Sequence, residues 1–371
     1  MVDALKKYWA VMAIALASWG VSLILHYPDM PWTVYSDVVS LWYREMEGGG
    51  GMPCIDFFLE YPPASCFLLA ASSFLGGSSL ASYYLVFGLL SLPAYIVFGL
   101  VIHRLYIGNT PGKFMALASP SLIVYGIYNF DHFVAAAVAL SIYLHIRGRN
   151  FLSALSLGLA VSLKLIPVIL LPLYLSKNPK HVVSGFLTGI TPYLPVAFLN
   201  PEYFPEFYRF HSGWGLENAW FLWLSGDPFS TSAKLFGFWL MIILLLRSYF
   251  SGAGFEVKSF QILSAWFLTS YVFTPQMALW LLPTVPATGS LANLWPAVEI
   301  SNVLIIYTWF TTPTPTLPWT LPQTAALVRA AALASIFFLS YRQGLHTPGV
   351  RNRIWVSKPG EPHIQQSLDS G

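Results

Sequence analysis

The chain has 371 residues, of which 56% are hydrophobic and 9% charged; its mean hydropathy is +0.61 and its formal net charge +3. Soluble domains have about a quarter of their residues charged, so this composition points to lipid as the solvent. The small net charge, with no basic tract, zinc-ligand spacing or Walker-type loop, excludes a nucleic-acid partner and the common nucleotide sites.

Taken in order, the chain opens with Lys6 and Lys7 before an apolar run from Tyr8 to Leu25. Ala15-Leu16-Ala17 has the form of a signal-cleavage site, but the run continues past it, which predicts a retained signal anchor. Apolar segments with polar breaks follow, giving the set 8–27, 80–102, 114–128, 131–146, 151–164, 165–176, 182–199, 233–249, 259–274, 276–290, 292–310 and 324–341. The expected fold is therefore an all-α polytopic membrane protein of about 12 transmembrane helices. Several segments are shorter than the ~20 residues that span a bilayer. Asn129 and Asp131 divide one pair of short segments, Lys164 another and Gln276 a third. Half-length helices are tolerated where they line a cavity, so these breaks mark a pocket.

Residues 1–342 form one membrane domain, with a first outer loop at 28–79 and a second at 200–232; 343–371 reads as a polar cytosolic tail. Cations set the orientation. Lys6, Lys7, Arg104, Lys113, Arg147, Arg149, Lys177, Lys180, Arg247, Lys258 and the tail basics fall inside, against Arg44, Lys164, Arg209, Lys234 and Arg329 outside. Both termini are then cytosolic, in a multi-pass plasma-membrane protein. This topology requires Tyr61–Leu75 to lie on the outer surface as an amphipathic or re-entrant helix.

The first outer loop carries Asp37, Glu45, Glu47, Asp56 and Glu60 against Arg44. Glu45 and Glu47, beside Gly48–Gly51, read as a solvated face. Cys54 and Cys66 fit an external disulfide or two free thiols. The second loop is rich in Trp, Tyr and Phe, as at a headgroup belt, and holds Arg209, His211 and Glu217. Glu299 sits inside an apolar span with no partner legible in the sequence. Asp131 and Lys164 at membrane depth are costly unless functional or paired with each other. A carboxylate suits a general base on an acceptor hydroxyl, and Lys or Arg suits a phosphate that gains charge on leaving. Together these fit group transfer from a lipid phosphate at the membrane surface. A transporter or flippase of a lipid-linked or small solute is the alternative, opposed by the one-sided placement of the polar groups.

The ordered elements YSDV, PCIDFFLEYPP, SPSLIVYGIYNFD, a Gly-Arg turn, GLAVSLKLIPVILLPL, YRFHSGWGLENAW and FTPQMALWLLP resemble those of GT-C membrane glycosyltransferases, and most closely glycosyltransferase family 87. The resemblance runs from about Tyr35 to Pro283. It implies a GT-C-like bundle, with the helix after the Pro pair on the membrane surface. It further implies inverting transfer of a hexose, most often mannose, from a polyprenyl (dolichyl) phosphate sugar to a lipid or glycan acceptor. The family's first-loop Asp maps onto Asp37, the catalytic base. Its Glu-Tyr-Pro element maps onto Glu60 and Tyr61, its Asn-aromatic-Asp turn onto Asn129 and Asp131, its lysine onto Lys164, and its Thr-Pro-Gln element onto Gln276. Arg209, His211 and Glu217 complete the expected substrate contacts. YSDVV lacks the second acid of a double-Asp metal motif, so no obligatory metal or cofactor is expected. Cys54 stands where relatives more often carry an aromatic.

Overall fold

The computed structural model describes residues 2–46 and 51–346. The expectations for Glu45 and Glu47, and for most of the 343–371 tail, fall on side chains or residues outside this set. Among the described residues the regular structure is helical, and β pairing is confined to isolated bridges such as Glu217 with Val272. The helices are α1 (Val2–Leu25), α2 (Asp37–Leu41), α3 (Pro63–Gly76), α4 (Leu80–Leu105), α5 (Thr110–Leu117), α6 (Pro120–Val124), α7 (Asp131–Ile146) and α8 (Asn150–Leu163). They continue as α9 (Leu171–Leu175), α10 (Pro179–Gly189), α11 (Tyr193–Leu199), α12 (Tyr203–Gly213), α13 (Leu222–Ser225), α14 (Thr231–Tyr249), α15 (Phe255–Thr269), α16 (Trp295–Trp309) and α17 (Leu321–His346).

The chain is a multi-pass membrane protein, but a count of about twelve spans is not borne out. Five helical stretches among the described residues are long and apolar enough to cross, and six if α10 and α11, bent by 56° at their junction, count as one. The reason is local. Apolar runs say nothing about helical continuity, and Pro167, Pro172, Pro192, Pro275, Pro283 and Pro286 break several runs into short helices and 3₁₀ turns. The segment expected at the surface forms α3, 14 residues long, with Pro63 at its first position, where a missing N–H costs nothing.

Two helix pairs frame the site. The helices α7 and α8 form an antiparallel hairpin through Gly148, whose φ of +73° suits glycine. Ser141 Oγ donates to Ser153 O at 2.8 Å and Ser153 Oγ to Ser141 O at 3.0 Å, so the helices touch through small residues. On the other face of α8, Gly158 meets α10 so closely that a Cβ there would lie 2.6 Å from Phe186 O and 2.8 Å from Gly189 Cα. Gly158→Val is therefore expected to separate these helices and cost about 1–3 kcal/mol, seen as a lower melting temperature in detergent. An unchanged melting temperature would refute this tight packing.

Glu299, which had no legible partner, has three. Its carboxylate accepts from Ser119 Oγ (2.7 Å), Ser121 N (2.8 Å) and Trp295 Nε1 (2.6 Å), clamping α16 to the start of α6.

Candidate active site

The hairpin places the first residue of α7 beside the residue that ends α8, because Asp131 and Lys164 lie almost equidistant in sequence from Gly148. Each suits its place: an acid at a helix N-terminus and a cation at a C-terminus both oppose the helix dipole. Lys164 Nζ lies 3.7 Å from Asp131 Oδ2, and Trp280 Nε1 donates to Asp131 Oδ1 at 2.7 Å. Asp131 is fully buried, and the Lys164 side chain is 11% exposed. The pairing that the sequence left as the alternative to a functional role is formed, and Lys164 also lies over the Tyr61 ring, 4.5 Å from its centroid.

Tyr61 joins the second half of the constellation. Asn129 Nδ2 donates to Asp37 Oδ2 at 2.7 Å and lies 3.1 Å from the Tyr61 hydroxyl, while that hydroxyl is 3.5 Å from Asp37 Oδ2. The Asp37 segment is docked by its flanks, since Ser36 Oγ and the Val38 N–H both donate to Tyr128 O. Burial pushes the Asp37 carboxyl up to about 6, with the Lys164 charge and the Asn129 hydrogen bond opposing.

Glu60 faces the same space but is held by Arg44, whose Nη2 reaches both carboxylate oxygens, at 2.9 and 3.1 Å. Cys54 and Cys66, left open as a pair or as free thiols, are disulfide-bonded. This bond closes the loop that carries Glu60 and Tyr61. The hydroxyl of Tyr203 donates to Tyr61 O, Asn200 Nδ2 donates to Cys54 O at 3.2 Å, and Ser65 Oγ donates to Leu163 O at 2.8 Å. Replacing both cysteines with serine should cost about 2–3 kcal/mol and loosen Tyr61. Reducing agent should then lower activity in wild type alone, and equal sensitivity of the Ser pair would rule out the disulfide as the target.

These groups form the polar end of a cavity of about 1030 Å³. Asp37, Glu60, Tyr61, Lys164, His211, Glu217 and Gln276 line it directly, whereas Asn129 and Asp131 act from behind through Asp37 and Lys164. Glu217 accepts from Trp214 Nε1 at 2.9 Å, and burial raises its carboxyl to about 7. His211 Nδ1 contacts Phe207 O at 2.8 Å, and burial lowers its pKa. Arg209 departs from expectation: it is exposed on α12 and does not line the cavity. Phe207 and His211 occupy the inward face of α12, and a residue two positions from each lies about 200° around the helix. Among the described residues no group of three or more His, Cys, Asp or Glu side chains is placed to hold a metal ion.

The sequence also hid how the cavity floor is held. Arg329 of α17 is fully buried, 3.6 Å from the Phe273 ring centroid, and donates to Asn302 Oδ1 (2.7 Å), Asn218 O (3.3 Å) and Phe273 O (2.5 Å). It thereby ties together the segments that carry Glu217 and Gln276, which also pair through Glu217 N to Tyr271 O and Phe273 N to Glu217 O. A lone Arg inside an apolar span was the available signal. Lys234, noted in the sequence only as an outer cation, lines the cavity as well.

Comparison with known proteins finds one family model and similar solved structures. The model of glycosyltransferase family 87 matches residues 58–233. The structure is similar to ArnT from Cupriavidus metallidurans bound to undecaprenyl phosphate, with a TM-score of 0.50 and 15% identity over 92% of this chain and 78% of that one. Against the same protein in its apo state the TM-score is 0.49 at 16% identity, with the same coverage. No curated protein matches. The family segment contains the Glu-Tyr-Pro element, the Asn-Phe-Asp turn and the Lys164 break, which are the parts that build the polar end of the cavity. That segment resembles glycosyltransferase family 87, and the chain as a whole has a fold similar to that of ArnT.

Proposed function

We propose that the protein transfers one hexose, with mannose as the first candidate, from a polyprenyl phosphate sugar to a lipid or glycan acceptor at the outer face of the plasma membrane. The observation that carries this reading is the juxtaposition of Asp37, held by Asn129, with Lys164, held by Asp131, at the polar end of a largely apolar cavity. Asp37 has a carboxylate of raised basicity and takes the proton of the acceptor hydroxyl as that oxygen attacks the anomeric carbon. The bond from the anomeric carbon to the phosphate oxygen breaks on the opposite side, which inverts the configuration. The phosphate departs with one more negative charge, which Lys164 and the neighbouring cations stabilise. Glu60, Glu217 and Gln276 offer hydrogen bonds to sugar or acceptor, and Tyr61 keeps Lys164 and Asp37 in register.

Three features support this reading beyond the site itself. The apolar walls suit an isoprenoid chain. ArnT, whose fold this chain shares, was crystallised with undecaprenyl phosphate. A disulfide beside the site fits an oxidising, external side.

The test uses purified protein in nanodiscs, radiolabelled polyprenyl-phosphate-mannose and a membrane lipid and glycan extract. Label is expected in a new product that needs active protein. If no sugar moves from mannosyl, glucosyl or other polyprenyl donors, the transferase reading fails. Labelled lipid crossing the bilayer without transfer would point to a flippase instead.

A further inference from the structure

The face that α14 turns toward the cavity has a cation at its top and an apolar stripe beneath. Lys234 lies in the first turn, followed by Leu235, Phe238 and Met241, all lining the cavity at helical spacing. Lys234 Nζ donates to two neutral carbonyls, Ser212 O (3.2 Å) and Trp214 O (2.6 Å), and lies 5.2 Å from the Tyr271 ring centroid. Among the described residues no carboxylate pairs with it. Its charge is therefore not neutralised, and one of its three N–H donors remains for a ligand.

A lysine is poorly placed here for the helix itself, because the first turn favours anions. A phosphate at this position would satisfy both the lysine and the helix end. Below it the stripe descends about 10 Å from Lys234 to Met241 at 1.5 Å per residue. Leu235 and Phe238 are 54% and 47% exposed while lining the cavity, so this flank opens at the side of the bundle. An opening there lets a chain enter from the bilayer with its head arriving at Lys234.

We propose that α14 is the seat of an isoprenoid phosphate. Its phosphate sits at Lys234, on the cavity side where His211 also lies, and its chain runs along Leu235, Phe238 and Met241. This rests on the donor class proposed above and assigns the lipid a position in this chain. Lys234 thus faces the cavity, whereas Arg209, expected from the sequence among the substrate contacts, does not. A lysine that only caps the carbonyls of α12 would make no such contact, and the two roles are separable by experiment.

The test uses the full chain in nanodiscs and farnesyl phosphate carrying a photoactivatable diazirine in its chain. Wild type is expected to bind the probe and become labelled within residues 235–241. Lys234→Gln should weaken binding by at least about tenfold, the loss of one charged hydrogen bond. Farnesol and inorganic phosphate should each compete poorly, since head and chain are both required. Lys258→Gln, remote from the cavity and donating to Tyr249 O, is the charge-matched control and should bind as wild type. Unchanged affinity in Lys234→Gln, competition by inorganic phosphate equal to that of the probe, or label confined to other helices would overturn the seat. Any of these would leave the transferase reading intact. If wild type bound no isoprenoid phosphate and moved no sugar, both would fail. Should Lys234→Gln not fold, the site of labelling in wild type still decides.

Discussion

Asp37→Asn is expected to lower sugar transfer by about 10²–10⁴-fold with little change in expression or donor binding, because Asn keeps the shape of Asp but cannot accept a proton. The segment is anchored independently of the carboxylate through Ser36 and Val38, both bonded to Tyr128 O, so the substitution should not move the backbone. The pH dependence gives a second readout. Burial disfavours the anion and raises the Asp37 pKa to about 6, from an ordinary value of 3.8. The basic form is therefore populated above about pH 6 and lost below it, so wild-type transfer should rise with pH through about 6 and then level off. The Asn variant should be slow throughout, with that limb missing. Turnover like wild type in Asp37→Asn would remove Asp37 as the base. A wild-type profile flat from pH 5 to 7 (about one pH unit on either side of the raised pKa) would contradict the basicity assigned to it.

The second large effect is expected at Lys164. Its removal as Lys164→Met leaves the fully buried Asp131 with the Trp280 hydrogen bond but no counter-charge, and an unpaired buried carboxylate costs roughly 3–5 kcal/mol. The 3.7 Å separation argues for the lower end of that range. The double variant Asp131→Asn with Lys164→Met removes the stranded charge while Asn can still accept from Trp280, so it should recover most of the stability. Donor use should remain impaired in both variants, because the cation proposed to stabilise the departing phosphate is gone. Thermal unfolding in detergent alongside donor kinetics separates the two effects. Stability loss in the double variant equal to that in the single one would show that the ion pair is not what the fold relies on. Full donor activity in the double variant would remove Lys164 from the reaction.

Much of the site was legible because its parts are local. Asn129, Asp131 and Lys164 interrupt apolar runs, and in a chain this hydrophobic such interruptions are expensive enough to mark a cavity. The hairpin relation of Asp131 to Lys164 follows from two short segments around a Gly-Arg turn. Asp37 and Glu60-Tyr61-Pro62 stood out as polar elements in an outer loop. Their meeting point was less accessible: Asn129 and Tyr61, which join Asp37 to Lys164, come together from segments far apart in the chain. The exchange of Arg209 for Lys234 was not readable at all. It depends on the rotational phase of α12 on the bundle, and an exposed helix rich in aromatics on all sides does not declare that phase.

The sequence by itself determined the solvent, the helical class, the breaks that mark the pocket and the family resemblance, because hydropathy and short-range motifs are properties of neighbouring residues. Tertiary structure alone decided the continuity of the spans, the disulfide, the clamp on Glu299, the Arg329 seam under the cavity and which cations face it. The clamp and the seam depend on where helix ends and faces land against segments more than a hundred residues away, as Glu299 does against Ser119 and Arg329 against Asn218. In an apolar interior it is the buried polar group's need for a partner, more than any local pattern, that selects those contacts.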